Sequence, residues 1–521
     1  MIKVSDRWEQ KQRELLAPEG YIQLVVGVSE AGLQDEVTPS STNEATFSNI
    51  EAVTDMYGNY LTYPWATTEL NFWSLDGTKQ VLNSNDYKGY ASKNLDSGDI
   101  TLTVAKVHEQ AIPGLKITWC EELGEYATKF TITAYNGDTV VSTLTVAGNT
   151  SVTTEVEMEI ANYDSIKIVV NEWCLPQHRA RIDKIQLGLD TVYLKKDIMS
   201  FKHEQFGSVV SGELPKNSIE FSLDNSNGLW SPNNPVGQGK YLSERQEIKA
   251  YYGFDIDGTI EWAKAGTFYL SEWRTPSNGL EATFVARDVL EYMIGETYTG
   301  ITSGTLLEIA TAAIEQADLP DNVKIVLDER LGNYSASFED DYTIAEVLQL
   351  CANAACCAMY TNRDGEFCIE YVANPAMGYS VRSDISFSYP EYELSKPLKS
   401  IEVTYGNEND KYSYSVSAEG EKQTLSNPFI STEEQAKEVA EWVAKTLQFR
   451  KNISGEYRAD PRADVFDKIV VESKYGVNNA VLLTNIVYTF TGVFRGSYAG
   501  IVTEFSAVAA AYSGEIYAGE V

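Results

Sequence analysis

The chain has 521 residues, too many for one ordinary hydrophobic core, and its size points to about three or four domains. Hydrophobic residues at 43% beside charged residues at 22% describe a folded globular chain and exclude extensive disorder. Lys and Arg number 41 against 75 Asp and Glu, a formal net charge of -34, so the surrounding field repels phosphate backbones and argues against nucleic-acid binding as the main task.

The N-terminal stretch "MIKVSDRWEQKQRELL" is charged and amphipathic where a secretory signal would carry an apolar segment, so no such signal is expected. Its spacing predicts a short helix capped by Ser5, with Val4, Trp8 and Leu15 on one side. "YIQLVVGV" (21–28) follows as a strand, then a polar connector rich in turn formers. From Ala45 to Gly188 the pattern is short and alternating: "ITLTV" (100–104), "LKITWC" (115–120), "KFTITAY" (129–135), "VVSTLTV" (140–146) and "SIKIVV" (165–170). Turns at intervals of about 10 residues make this a sandwich or jelly-roll signature. At its close, "LPQHRARIDKIQLG" places Arg179, Arg181 and Lys184 at near-alternate positions among Ile182, Ile185 and Leu187. It reads as the last strand of that unit, with Arg179 and Arg181 facing outward or pairing with acidic neighbours.

A second β-rich region follows, in which "DIDGTIEW" reads as a hairpin through Asp257-Gly258. Two helices come next. Thr305 with Glu308, and Thr343 with Glu346, stand in capping-box register, and Ile344, Val347, Leu348 and Cys351 share one face of the second helix. "YTNRDGEFCIEYV" turns at Asp364-Gly365. The remainder returns to strands around one more helix, for which Ser431 and Glu434 are the expected capping box and Ala436, Val439, Ala440, Val443 and Leu447 the apolar stripe.

Few residues offer chemistry. His108, His178 and His203 are the three histidines. "HEQAI" and "HEQFG" begin like a zinc-protease helix, but Ile112 and Gly207 stand where the second ligand belongs. Four of the six Cys crowd into 351–368 in a spacing that matches no standard zinc site, and small buried thiols are the expectation. No P-loop, G-x-S-x-G elbow or strand-linked G-x-G-x-x-G occurs. Carboxylate pairs such as Glu121 with Glu122, or Asp340 with Asp341, are too common here to mark a glycosidase dyad. "FSAVAAAY", the longest weakly polar run, is less than half the roughly 20 residues a bilayer span needs. Phe72 and Trp73 read first as core. A glycan or anion contact formed by Trp73, Arg179 and Arg181 is the alternative.

Several stretches carry a family likeness. "TTELNFWSLDG", "IPGLKITWCEELGEYATKFTITAYNGDTVV", "YDSIKIVVNEW" and "RARIDKIQLG" resemble the galactose-binding-like jelly roll inserted in phage tail hub proteins. "SGELPKNSIEFSLDNSNGLWSPNNP", "KYLSERQEIKAYYGF", "IEWAKAGTFYLSEW", "YTIAEVLQLCANAACCAMYTNRDGEFCIE" and "YRADPRADVFDKIVVES" resemble the hub domain of tailed phages and related contractile particles. The likeness runs through most of the chain, and the order of the motifs is more telling than any one of them.

It implies a mainly β fold with an α+β module, built as β-barrel hub domains plus an inserted jelly-roll β-sandwich. The divisions expected are 1–44 (helix and first hub strand), 45–189 (jelly roll), 190–300 (hub barrel), 301–376 (α+β module) and 377–521 (second hub region). It further implies a non-enzymatic homotrimer in the virion tail tip or baseplate, made in the host cytoplasm, with no cofactor or metal. Its partners would be the tail tube or distal tail protein, baseplate and spike or fibre proteins, and the tape-measure protein. The hydrolase or receptor-binding tail of some relatives is not expected after Val521. The alternative function is a carbohydrate-binding adhesin that takes host surface glycan through the jelly roll.

Overall fold

The strand Gly20–Val28 buries Ile22, Leu24 and Val26, the alternate residues of "YIQLVVGV". The computed structural model in which it lies describes residues 2–506 except 15, 17, 29–36, 47, 55–88, 110, 122, 209–212, 232–233, 235–236, 276–278, 321–322, 340, 373–376, 407–409 and 448. Both neighbours of this strand are distant in sequence: Glu247–Ile256 on one side and Leu189–Leu194 on the other, each antiparallel. Val28 pairs with Leu189, so the chain leaves the sheet and rejoins it at facing positions. Residues 29–188 are therefore an insertion within a two-strand ladder, and "LDTVYL" returns the chain to the strand it left.

The fold is mainly β. A 13-stranded sheet runs in the order 189–194, 20–28, 247–256, 259–274, 281–287, 216–224, 198–206, then 478–490, 494–506, 451–458 and 391–394. Strands 468–472 and 377–381 branch from 478–490. Two lobes result, joined where Phe201–Phe206 pairs with Asn485–Phe490. One apolar core fills both and includes Trp8, Phe221, Tyr252, Phe268, Tyr457 and Tyr488. The hairpin at Asp257-Gly258 forms as expected, between paired Ile256 and Thr259, with φ of 57° and 92° at the two central residues. Positive φ at both positions matches the right-handed twist of the flanking strands.

A second core gathers helices α2 (Leu306–Gln316), α3 (Ile344–Ala354) and α4 (Glu433–Leu447), with the small sheets 325–327/358–361/367–370 and 398–405/410–415/421–426 beside them. The helix α1 (Asp6–Arg13) belongs to the first core instead. Both expected capping boxes are complete, Thr305 with Glu308 and Thr343 with Glu346. The cap of α4 is a correction: Thr432 Oγ1 accepts from Gln435 N at 3.2 Å and Gln435 Oε1 accepts from Ser431 N at 2.9 Å, one residue later than Ser431 and Glu434 predict. The reason is tertiary. The Ser431 hydroxyl donates instead to Ser335 O at 2.6 Å, and buried Gln435 also donates to Ala354 O at 3.0 Å. Cys351, Cys356 and Cys357 lie inside this core as free thiols, and burial pushes the Cys356 thiol up to about 12.

In the insertion, a five-stranded sheet (37–40, 98–108, 163–173, 127–136, 139–147) and a three-stranded sheet (184–187, 112–118, 153–160) close over a shared core that includes Trp119, Phe130 and Ile168. "RARIDKIQLG" is not one strand but two. Arg179–Ile182 pairs with Tyr90–Leu95, whereas Lys184–Leu187 pairs with Ile112–Thr118. Asp183 makes the step between them, its carboxylate accepting from Glu121 N at 3.0 Å.

Candidate functional site: a polar seam between the lobes

The segment "YRADPRADVFDK" leaves strand Lys451–Arg458, crosses the end of the second lobe and enters strand Lys468–Glu472. It carries Arg-Ala-Asp twice, and the two copies place their charges on different partners. Asp460 and Arg462 pair with each other: Arg462 Nε and Nη2 donate to the Asp460 carboxylate at 2.9 and 2.6 Å, while Nη1 reaches Glu9 on α1 at 2.6 Å. Burial opposes the Arg462 charge, and the hydrogen bonds and negative charges of Asp460 and Glu9 together outweigh it, holding its pKa above the ordinary value.

Asp464, the last residue of the second triplet, accepts from Arg363 Nε at 2.6 Å and from Gln205 Nε2 at 2.8 Å. Arg363 sits on the hairpin loop of the second core, so this one carboxylate ties together the second core and the strands of both lobes. The Arg363 Nη2 donates to Ala463 O at 2.8 Å, and the guanidinium stands 5.6 Å from the centre of the Tyr252 ring. Tyr252 in turn lies 2.5 Å from His203 Nδ1, and His203 Nε2 lies 2.8 Å from Asn217 Oδ1. An acceptor at Asn217 requires Nε2 to donate, so Nδ1 accepts from the Tyr252 hydroxyl and the ring is neutral. Burial agrees, lowering the pKa of His203 to about 4. Tyr488 donates to Ala463 O at 2.8 Å, and Tyr379 and Tyr457 join hydroxyls at 2.7 Å.

Helix α1 is clamped across the lobes at both ends. At its start, Ser5 N and Oγ donate to Glu261 at 2.8 and 2.6 Å, and Arg7 binds Asp257 at 2.6 Å, all on the first lobe's hairpin. At its end, Arg458 Nη2 donates to the carbonyls of Gln12 and Glu14 at 2.8 and 2.9 Å, from the second lobe. The last carbonyls of a helix lack internal partners and carry partial negative charge, which is where an arginine binds well. Trp8 is fully buried between, edge-on to Phe254 at 4.9 Å. Beside α1 a cavity of about 490 Å³ is walled by Gln12, Arg382, Arg458 and Glu472 among others.

These contacts satisfy charge with charge and tie α1, the second core and both lobes to one another. Among the described residues no group of three or more His, Cys, Asp or Glu side chains is placed to hold a metal ion, and no helix is long and apolar enough to cross a membrane.

The residues singled out in the sequence lie elsewhere. Trp73 falls outside the described residues. Arg179 Nη1 donates to Ser92 O at 2.9 Å and also to Lys93 O, so its guanidinium binds the neighbouring strand. Arg181 is only 2% exposed, so of the two readings, outward-facing or paired with acidic neighbours, the first is excluded; it lies close enough to Cys120 to act on that thiol's charge. The seam itself escaped sequence reading because Arg363 and Asp464 are 101 residues apart. The repeated Arg-Ala-Asp was the one local signal that could have drawn attention to it.

A scan against protein-family models finds no match, and a search of curated proteins finds none. Solved structures do resemble the chain. A tail protein from Neisseria meningitidis MC58 is 11% identical, with 61% of this chain and 94% of that one covered and a TM-score of 0.42. The 43 kDa tail protein of prophage MuSo2 from Shewanella oneidensis is 13% identical, covering 60% and 95%, with a TM-score of 0.41. Prophage tail protein gp18 from Listeria monocytogenes EGD-e is 11% identical, covering 60% and 92%, with a TM-score of 0.40. The chain is thus similar to phage tail proteins of known structure.

Proposed function

We propose that the chain is a structural hub subunit of a phage tail tip or of a phage-tail-like particle. Three copies close into a ring that joins the tail tube, or its distal protein, to a central spike or fibre, with baseplate and tape-measure proteins as further neighbours. The observation that carries this reading is the pair of β lobes fused through one sheet, at Phe201–Phe206 against Asn485–Phe490. Three copies with two lobes each present six β units about one axis, which suits a six-fold tube on one face while the chain itself stays three-fold for the spike. The order of hub-like motifs along the sequence supports the same reading.

The work is assembly, without a bond-making step. A joint under load needs a fixed angle between lobes, and the seam supplies it through buried ion pairs whose geometry is shared by three parts of the fold. An excess of carboxylates along the lumen would let DNA or a tape-measure protein pass with little adhesion. The test is the mass of the purified chain by light scattering, followed by cryo-EM of the parent particle. Three chain masses and density below the tail tube are expected. A monomer absent from every purified particle would overturn the proposal.

A further inference from the structure

A second cavity, of about 410 Å³, opens beside Asp464 between strands of the lobes and the small sheet of the second core. Its volume is that of a small-ligand site. Four carboxyl groups stand in its wall, Asp288, Glu370, Asp464 and Asp467, against one cation, Lys216. The cations around it are already engaged: Arg363 with Asp464, Lys216 and Lys202 together with Glu204, Arg287 with Glu291 and Arg330 with Asp328. Asp288 and Glu370 are in no ion pair among the described residues. Their hydrogen bonds come from neutral donors, Leu290 N at 3.1 Å for Asp288 and the Tyr360 hydroxyl at 2.8 Å for Glu370.

A buried carboxylate without a counter-charge is unfavourable, and burial raises the Asp288 pKa to about 7. Thr361, 8% exposed in the same wall, keeps Oγ1 buried with no hydrogen-bond partner, although its hydroxyl stands close enough to favour the ionised Asp288. Acceptors for a bound donor are thus in place, and a positive charge among them would offset the desolvation of Asp288. A metal ion does not suit the wall, because among the described residues no three His, Cys, Asp or Glu side chains are placed to hold one. Phe206, Val465 and Phe466 add apolar wall beside the acids. Acid next to hydrocarbon fits a cation on an aliphatic stem. The acceptors belong to separate elements, which suits the three rotating donors of an ammonium better than the planar fork of a guanidinium.

We propose that this cavity binds a primary alkylammonium group, with its charge against Asp288 and Glu370 and its stem along Phe206 and Phe466. Two sources carry that chemistry, a free alkylamine and the lysine side chain of a neighbouring protein. The site lies within one chain, so it stands whether or not three copies close into a ring.

The test is saturation-transfer NMR on the full chain at neutral pH and fixed ionic strength, with n-pentylamine, N-acetyl-lysine methylamide and the uncharged n-pentanol as probes. Saturable binding of an amine is expected, with n-pentanol weaker by roughly tenfold or more. Binding of the lysine amide assigns the site to a partner's side chain, and binding of n-pentylamine alone assigns it to a free amine. The double variant Asp288→Asn with Glu370→Gln keeps the acceptor oxygens for Leu290 N and the Tyr360 hydroxyl, and it is expected to weaken amine binding by roughly tenfold or more. Equal binding by that variant would reveal only the general attraction of an acidic chain for cations and would overturn the proposal. So would n-pentanol binding as tightly as the amine, or the absence of saturable binding by either amine.

Discussion

Acid is expected to loosen the joint between the lobes through His203. The ring is fully buried and bonded at both nitrogens, accepting at Nδ1 from Tyr252 and donating at Nε2 to Asn217. Protonation would put a second donor at Nδ1 against a hydroxyl that is already donating, in a site without water-like screening. The folded pKa, about 4, lies below the 6.5 of a free imidazole, so the unfolded chain takes up the proton first. The stabilising contribution is therefore whole above pH 6.5 and is lost as pH falls toward 4. At about 1.36 kcal/mol for each pH unit between the two values, the loss by pH 4 is about 3 kcal/mol. Urea unfolding between pH 7 and pH 4, followed by tryptophan fluorescence, measures it. His203→Gln starts less stable but should lack this slope, so wild type should lose about 3 kcal/mol more than the variant across the window. Parallel curves would show that the acid response comes from other groups and that the neutral-imidazole assignment is wrong.

The opposite slope is expected from Asp288, whose carboxyl is buried, caps the turn at Val289–Tyr292 through Leu290 N at 3.1 Å, and is pushed up to about 7. Its folded value exceeds the unfolded one, so wild type loses roughly 3 kcal/mol as pH rises from 4 to 7, and Asp288→Asn, which keeps the cap oxygen, should flatten that loss in the same urea series. Trp8→Ala empties a fully buried site against Phe254 and should cost about 3–5 kcal/mol, read as a lowered denaturation midpoint of the lobes. Arg458→Met removes the donor to the Gln12 and Glu14 carbonyls; limited proteolysis should then cut after α1 sooner than in wild type, and an unchanged rate would show that the clamp is idle. Gly114→Ala should prevent the insertion from closing normally, because a Cβ there would lie 2.0 Å from Val156 O, and its soluble yield should fall well below that of wild type.

Two kinds of signal separate what was legible from what was not. The capping boxes of α2 and α3, the Ser5 cap, the Asp257-Gly258 hairpin and the alternation of "YIQLVVGV" are each satisfied within a few residues, so composition at short range was enough to place them. Where a distant partner competes, short range misleads. Ser431 looked like a cap and was taken by Ser335, and "RARIDKIQLG" looked like one strand but divides between two sheets at Asp183. For Arg181, read as facing outward or pairing with acidic neighbours, the outward alternative fails because the neighbouring strand Tyr90–Leu95 and the core beneath bury it.

By itself, then, the order of residues determined the mainly β class, the starts of α1, α2 and α3 and the tight turn at Asp257-Gly258. Tertiary structure alone decided that Arg363, Asp464, His203 and Tyr252 meet in one seam, that α1 spans both lobes, and that two strands are left as outer edges. The physical reason is range. Backbone hydrogen bonds of caps and turns are local, whereas burying a charge requires a counter-charge whose place in the sequence is free to be anywhere the fold can bring it.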